Sequence, residues 1–173
     1  MSIKRPLLVL GHARSGTTLL RALLNIHPQV KMVNEPHLVR TLRSVGASFD
    51  GTHEASLRPQ VLVALSPNQR ERLPQDAIDA LLASDQPFTF KEAYEALMPL
   101  DSEANEIWGE KSPENLRYLQ GLLQLYPEAF FLNIVRDPRS IVLSKYRKKF
   151  HAAENVSPKL TAATVGYVIY IAM

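Results

Sequence analysis

Two rhythms of apolar positions divide the first half of the chain. Leu7-Leu8-Val9-Leu10 is a short continuous apolar run, the mark of a strand buried on both faces. A glycine-bounded segment, Gly11 to Gly16, follows it, and Leu19, Leu20, Leu23 and Leu24 then recur at helical spacing until His27-Pro28 stops the helix. Val30 to Val33 reads as a second strand, and Asn34-Glu35-Pro36 leads into a helical stretch ending near Arg43.

Between residues 44 and 106 five prolines (59, 67, 74, 87 and 99) cut the pattern short, and only Gln75–Ser84 and Thr89–Met98 predict helices. Ile107-Trp108-Gly109 resumes as a strand. Ser112-Pro113-Glu114 then predicts a helix start, with Ser as cap, Pro in the first turn and Glu at the positive end of the dipole. Leu116, Leu119, Leu122 and Leu123 form the expected apolar face of that helix. Ala129 to Val135 is the strongest strand pattern in the chain, and Arg136-Asp137-Pro138 opens a last helix to about Phe150. Strand, helix, strand, helix in this order predicts an α/β fold with a parallel β-sheet flanked by helices. Ligands of such sheets bind beyond the carboxyl ends of the strands, where Gly11–Gly16, Asn34–Glu35, Glu110–Lys111 and Arg136–Asp137 all fall.

Composition narrows the chemistry. The 173 residues suit one domain, and the absence of Cys excludes disulfide scaffolds, thiolate metal sites and cysteine nucleophiles. No apolar run approaches the roughly 18–20 residues of a membrane span, and no signal peptide fits before Leu7, so the expectation is a soluble cytoplasmic protein. The formal charge of +3 is too small to indicate a nucleic-acid binder, but it is unevenly spread. Arg136 to Lys149 holds six basic residues against Asp137, whereas Asp76 to Glu110 holds nine acids against Lys91. A local basic segment in an otherwise slightly acidic chain fits an anionic ligand held in one place, although Lys145 to Lys149 alone reads better as a solvated helix face. The five His residues (12, 27, 37, 53 and 151) show no metal-ligand spacing, so no metal is expected.

Gly11-His-Ala-Arg-Ser-Gly16-Thr17-Thr18 follows a strand and opens a helix, the context in which backbone N–H groups cradle a phosphate. Thr17 stands where the phosphate loop of an NTPase carries the lysine that reaches the β- and γ-phosphates. The loop therefore suits a 5′-phosphate-like anion better than γ-phosphoryl transfer.

Leu7–Arg21 (LLVLGHARSGTTLLR) resembles the 5′-phosphosulfate loop of the PAPS-dependent sulfotransferases, in particular the branch of the tyrosylprotein sulfotransferases and their bacterial relatives. Phe131–Ser144 (FLNIVRDPRSIVLS) resembles that family's second signature, a strand ending in Arg with a Ser eight residues later, which binds the 3′-phosphate. The resemblance covers about residues 5–43 and 107–150. It implies a P-loop-like domain over residues 1–173, incomplete at its C-terminal end. It further implies metal-independent, in-line transfer of a sulfuryl group from PAPS to a hydroxyl or amine of a small-molecule, carbohydrate or peptide acceptor. By the same resemblance, Arg14 holds the 5′-phosphate and sulfonate, and Ser15, Gly16, Thr17 and Thr18 supply donors to it. Glu35 is placed as the general base, and Lys111 stabilises charge on the bridging oxygen. Arg136 and Ser144 bind the 3′-phosphate, with Lys148 or Arg147 as a further contact.

Each residue also has a plainer reading. Glu35 can serve as a helix-start carboxylate, with His37 as the rival base; Lys111 can pair with Glu110 or Glu114; Ser144 can bond back to a helical carbonyl; Trp108 and Tyr126 fit the core. Two other functions stay open on the sequence: a P-loop nucleotide or small-molecule kinase with a degenerate loop, and a non-catalytic PAP-binding module. The apolar run Val165–Met173 is expected to pack against a partner chain, a homodimer being the simplest case, because nine residues are too few to span a bilayer.

Overall fold

The computed structural model describes residues 6–98 and 107–151. Four strands form one parallel sheet: β1 (Leu7–Gly11), β2 (Val30–Asn34), β5 (Ile107–Lys111) and β6 (Phe130–Ile134), in the order β2-β5-β1-β6. Register is fixed by Leu7↔Gly109 and Val9↔Lys111 on one side of β1, by Val9↔Leu132 on the other, and by Asn34↔Lys111 between β2 and β5. From β1 the chain crosses through α1 (Thr17–Leu24) to β2 on one flank, whereas β6 lies on the opposite flank. The strand order therefore reverses around β1, and the crevice this creates opens at the end of β1, where the glycine loop sits.

The period of two along β1 sends its side chains into two cores. Leu8 joins a large one with Leu38, Val39 and Leu42 of α2 (Leu38–Ser44), and with Phe90, Tyr94, Trp108, Leu122 and Tyr126. Leu7 and Val9 point the other way, to Met32 and, from α1, Leu20 and Leu24. Trp108 and Tyr126 are core residues, their rings 5.9 Å apart edge to face.

The proline-rich middle folds as a helical insertion on the larger core. It contains a two-residue antiparallel ladder of β3 (Thr52–His53) and β4 (Phe88–Thr89) and the helices α3 (Arg58–Ala64), α4 (Pro67–Arg70), α5 (Gln75–Ala83) and α6 (Phe90–Ala96). Two buried polar side chains pin it. Arg58 donates to the carbonyls of Leu81 (3.1 Å) and Gln86 (2.8 Å), and Gln69 Nε2 donates to the Pro36 carbonyl (2.9 Å) and Thr41 Oγ1 (3.1 Å).

Two local expectations are corrected. Ser112 does not cap a helix: its hydroxyl donates to Glu110 at 2.7 Å, and the chain runs through a 3-10 stretch, Pro113–Tyr118, before α7 (Leu119–Leu125) begins. The leucine face is also rotated from the simple pattern, because the 3-10 turn shifts the phase: Leu122 is fully buried while Leu116 and Leu123 are exposed. The last helix, α8 (Pro138–His151), starts where expected. No helix among the described residues is long and apolar enough to cross a membrane. The Val165–Met173 run lies outside the described residues.

Candidate active site

The loop after β1 is shaped by its own atoms. Gly16 adopts φ 107°, in the left-handed region a side chain resists, and Arg14 also has positive φ, at 77°. The Ser15 hydroxyl donates to the His12 carbonyl, closing the loop, and Thr17 is buried at the start of α1 with Thr18 exposed beside it. His12 and Lys145 of α8 lie 3.4 Å apart at their ring and amino nitrogens, and burial lowers the pKa of each.

Arg14 is the meeting point of the two sequence signatures. Its Nε donates to Ser144 Oγ at 3.0 Å, and its backbone carbonyl accepts from Arg136 at 2.9 Å. Arg136 follows β6 and Ser144 lies on α8, so neighbouring elements bring three expected residues into one exposed basic cluster. Lys148 is exposed one turn beyond Ser144.

The second half of the site lies on the other flank, at the ends of β2 and β5. Lys111 is 1% exposed, and its amino group donates to a carboxylate oxygen of Glu35, whose side chain is 37% exposed. The Glu35 backbone N–H returns a hydrogen bond of 2.9 Å to the Lys111 carbonyl. The plainer pairing of Lys111 with Glu110 or Glu114 is thereby excluded. Alternation along β5 turns Glu110 to the opposite face, where Tyr94, Ser112 and Asn115 all donate to it. Burial raises the Glu110 pKa, and those three hydrogen bonds only partly offset it.

Glu35 and His37 both adopt positive φ, 47° and 57°; with Arg14 they are the only non-glycine residues described that do so. All three sit on the ligand edge of the sheet. His37 Nδ1 lies 2.6 Å from Glu114 Oε1, and its Nε2 faces Glu35 Oε2 at 3.9 Å. Arg40 donates to the other oxygen of Glu114 at 3.3 Å. Burial would raise the Glu114 pKa, but the hydrogen bond and charge of His37, with Arg40 and Arg117, bring it below the ordinary value. A pocket of about 230 Å³ opens beside Glu35 and His37, walled by Asn34 and by Asn68, Gln69 and Arg72 of the insertion.

The model of the sulfotransferase family matches residues 6–168 of this sequence. The chain belongs to that family. Among its relatives, a protein-tyrosine sulfotransferase of Drosophila melanogaster is 26% identical over 145 residues, covering 83% of this chain and 26% of the relative. A putative protein-tyrosine sulfotransferase of Caenorhabditis briggsae is 24% identical, with 83% of this chain and 43% of the relative covered. An uncharacterized protein of Aquifex aeolicus is 28% identical over 152 residues, 86% of this chain and 18% of that one. This sulfotransferase-family chain thus spans less than half the length of the curated relatives it matches. Among solved structures, the sulfotransferase STF9 from Mycobacterium avium is similar at a TM-score of 0.46 and 20% identity, over 86% of this chain and 47% of that one.

Sequence reasoning offered Glu114 as a partner for Lys111 and missed its pairing with His37, and it missed Arg40 as a neighbour of the site. Seventy-seven residues separate Glu114 from His37, and no local pattern joins them. Glu110 was legible only in part: period-two alternation already places it on the face opposite Lys111, but nothing local points to Tyr94.

Proposed function

We propose that this chain is the donor-binding and catalytic part of a PAPS-dependent sulfotransferase acting on an acceptor hydroxyl. The observation that carries the reading is the convergence of Arg14, Arg136 and Ser144 on one flank of β1, with the Lys111–Glu35 pair on the other. The residues fit the donor: a loop with two left-handed residues and open N–H groups suits its 5′ end, and a guanidinium plus a hydroxyl suit a 3′-phosphate. When bound, PAPS supplies an activated sulfuryl group on a phosphate leaving group.

The protein's own part is positioning and charge. Arg14, Gly16, Thr17 and Thr18 hold the anion at the end of β1, and Arg136, Ser144 and Lys148 extend the cluster along α8. Lys111 orients Glu35 by taking one carboxylate oxygen. The other oxygen is left toward the pocket, where it accepts the proton of the acceptor hydroxyl. One well-placed carboxylate of this kind contributes on the order of 10²–10⁴-fold. The acceptor occupies the pocket beside Glu35, on the flank away from the nucleotide.

Calorimetric titration without metal tests the reading directly. Adenosine 3′,5′-bisphosphate should bind at least tenfold more tightly than ADP. Equal affinity for the two nucleotides, or preference for ADP with Mg²⁺, would replace this reading with a phosphoryl-transfer one.

A further inference from the structure

The base side of the site holds more acid–base machinery than one proton acceptor requires. Glu35 uses Oε1 to accept from Lys111, which leaves Oε2 as its free lobe. His37 Nε2 faces that free lobe at 3.9 Å. The other ring nitrogen, Nδ1, lies 2.6 Å from Glu114 Oε1, and the second oxygen of that carboxylate accepts from Arg40, which favours its ionised form. An ionised carboxylate only accepts, so the proton of the neutral imidazole resides on Nδ1 and the lone pair on Nε2 points at Glu35. Two closely spaced departures from ordinary backbone, positive φ at Glu35 and at His37, set this orientation. Strain of order 1–3 kcal/mol at each such residue persists only where the surroundings enforce it. The Gln69 contact to the intervening Pro36 carbonyl is one of those enforcing contacts.

We propose that His37 is a positioning residue and proton relay, oriented by Glu114, that clears the proton from Glu35 after transfer. This extends the sulfotransfer reading and rests on it. In the step, the O–H bond at Glu35 Oε2 breaks as an N–H bond forms at His37 Nε2. Glu35 returns to its ionised form against Lys111, and the imidazolium is stabilised by the Glu114 carboxylate. Nε2 then gives the proton to water, since the His37 side chain is 29% exposed. The 3.9 Å separation is bridged by one water or by tightening when ligand binds, as catalytic contacts commonly do. The charged groups around the ring are Glu35 and Lys111 at the strand ends, Arg40 on α2, Arg72 across the pocket, Glu114 and Arg117 on the 3-10 stretch, and the buried Glu110 beneath. The carboxylates of Glu35 and Glu114 each lie within 4 Å of a ring nitrogen.

Two measurements test the relay. Nitrogen-15 NMR of the imidazole reads the tautomer without any turnover: Nδ1 should carry the proton in the neutral protein, and Glu114→Gln should shift or mix the tautomers. Protonation on Nε2 in the unaltered protein would overturn the proposal. The second measurement is the pH profile of sulfate transfer from PAPS. With His37 as relay, the acidic limb of kcat depends on the ring, because a protonated ring cannot accept. In His37→Asn that limb should change position, with kcat at neutral pH reduced about tenfold or more, KM within a few-fold, and partial rescue by added imidazole. An unmoved limb without rescue in an active His37→Asn enzyme sinks the relay and leaves the sulfotransfer reading intact. Failure of adenosine 3′,5′-bisphosphate to bind sinks the sulfotransfer reading itself, and the relay with it.

Discussion

Arg14 and Ser144 are 130 residues apart in sequence and share a hydrogen bond of 3.0 Å. The bond links the loop of β1 to α8 and gives a physical reason for the two basic signatures to occur in one chain. Arg136 strengthens the link from the sheet side by donating to the Arg14 carbonyl at 2.9 Å.

That geometry separates the roles of Arg136 and Ser144. Arg136→Ala removes a guanidinium and also frees the carbonyl of a loop residue, so it should weaken both adenosine 3′,5′-bisphosphate and its analogue lacking the 3′-phosphate. Ser144→Ala removes a hydroxyl and with it the acceptor for Arg14 Nε, but leaves the exposed guanidinium charged and hydrated, so it should weaken the bisphosphate by roughly five- to tenfold and the analogue by clearly less. Equal losses for the two ligands in Ser144→Ala, measured by calorimetry, would show that Ser144 serves the loop and not a 3′-phosphate.

Glu35→Gln keeps an oxygen for Lys111 to donate to but removes the charge that balances the buried ammonium, so some loss of stability is expected beside the kinetic effect. Turnover should drop at least about 100-fold, with bisphosphate affinity within a few-fold, because a base acts in the transition state. Steady-state kinetics with a thermal melt on the same sample checks both halves. A folded variant with turnover above a tenth of the original would remove Glu35 from the base role.

Glu110 makes the sheet edge sensitive to pH. Its folded pKa is raised by burial above the unfolded value of 4.5, so its contribution to stability is fully present below that value. The contribution is lost as pH rises through the folded pKa. Glu110→Gln cannot titrate, and its stability relative to the parent should therefore improve as pH rises from about 4 toward neutrality. Glu110→Ala strands the Tyr94 hydroxyl and the Asn115 amide and should cost about 2–4 kcal/mol at any pH. Urea denaturation at several pH values from about 4 to about 7 measures both; a parallel pH dependence in parent and Gln variant would show that Glu110 does not titrate in this range.

β1 was legible because a strand covered on both faces demands an apolar run, and the run of β6 was as plain although Phe130 and Leu132 are exposed. The glycine loop was legible because its special backbone is written as Gly16. Positive φ at Arg14, Glu35 and His37 leaves no such mark, since tertiary contacts impose it. In the proline-rich middle, β3 and β4 pair over two residues each, too few for a periodicity. Two starts there were nonetheless encoded: Ser66 with Gln69 and Thr89 with Glu92 both form capping boxes, and that spacing marks α4 and α6. Ser112 carried the opposite lesson. A Ser-Pro-Glu string reads as a helix start, but a buried carboxylate two residues earlier is a stronger claimant for the hydroxyl than free backbone N–H groups.

The sheet itself can be probed at Gly109, which faces Leu7 across the β1–β5 ladder. A Cβ at Gly109 would lie 1.8 Å from the Leu7 carbonyl oxygen and 2.9 Å from Met32 Sδ. The methionine can move; the carbonyl cannot, because Leu7 belongs to a strand paired on both sides. Gly109→Ala must therefore push β5 from β1 and separate the strand ends that carry Lys111 and the glycine loop. We expect a loss of at least about 3 kcal/mol, with poor recovery of soluble protein. Gly16→Ala provides the contrast. A Cβ at Gly16 would meet nothing within 4 Å, and only the left-handed φ of 107° opposes a side chain there. Its cost should be about 1–2 kcal/mol. Comparing the two variants by chemical denaturation distinguishes lack of space from backbone conformation as the reason for each glycine, and a Gly109→Ala protein as stable as Gly16→Ala would show that the β1–β5 pair can open without unfolding.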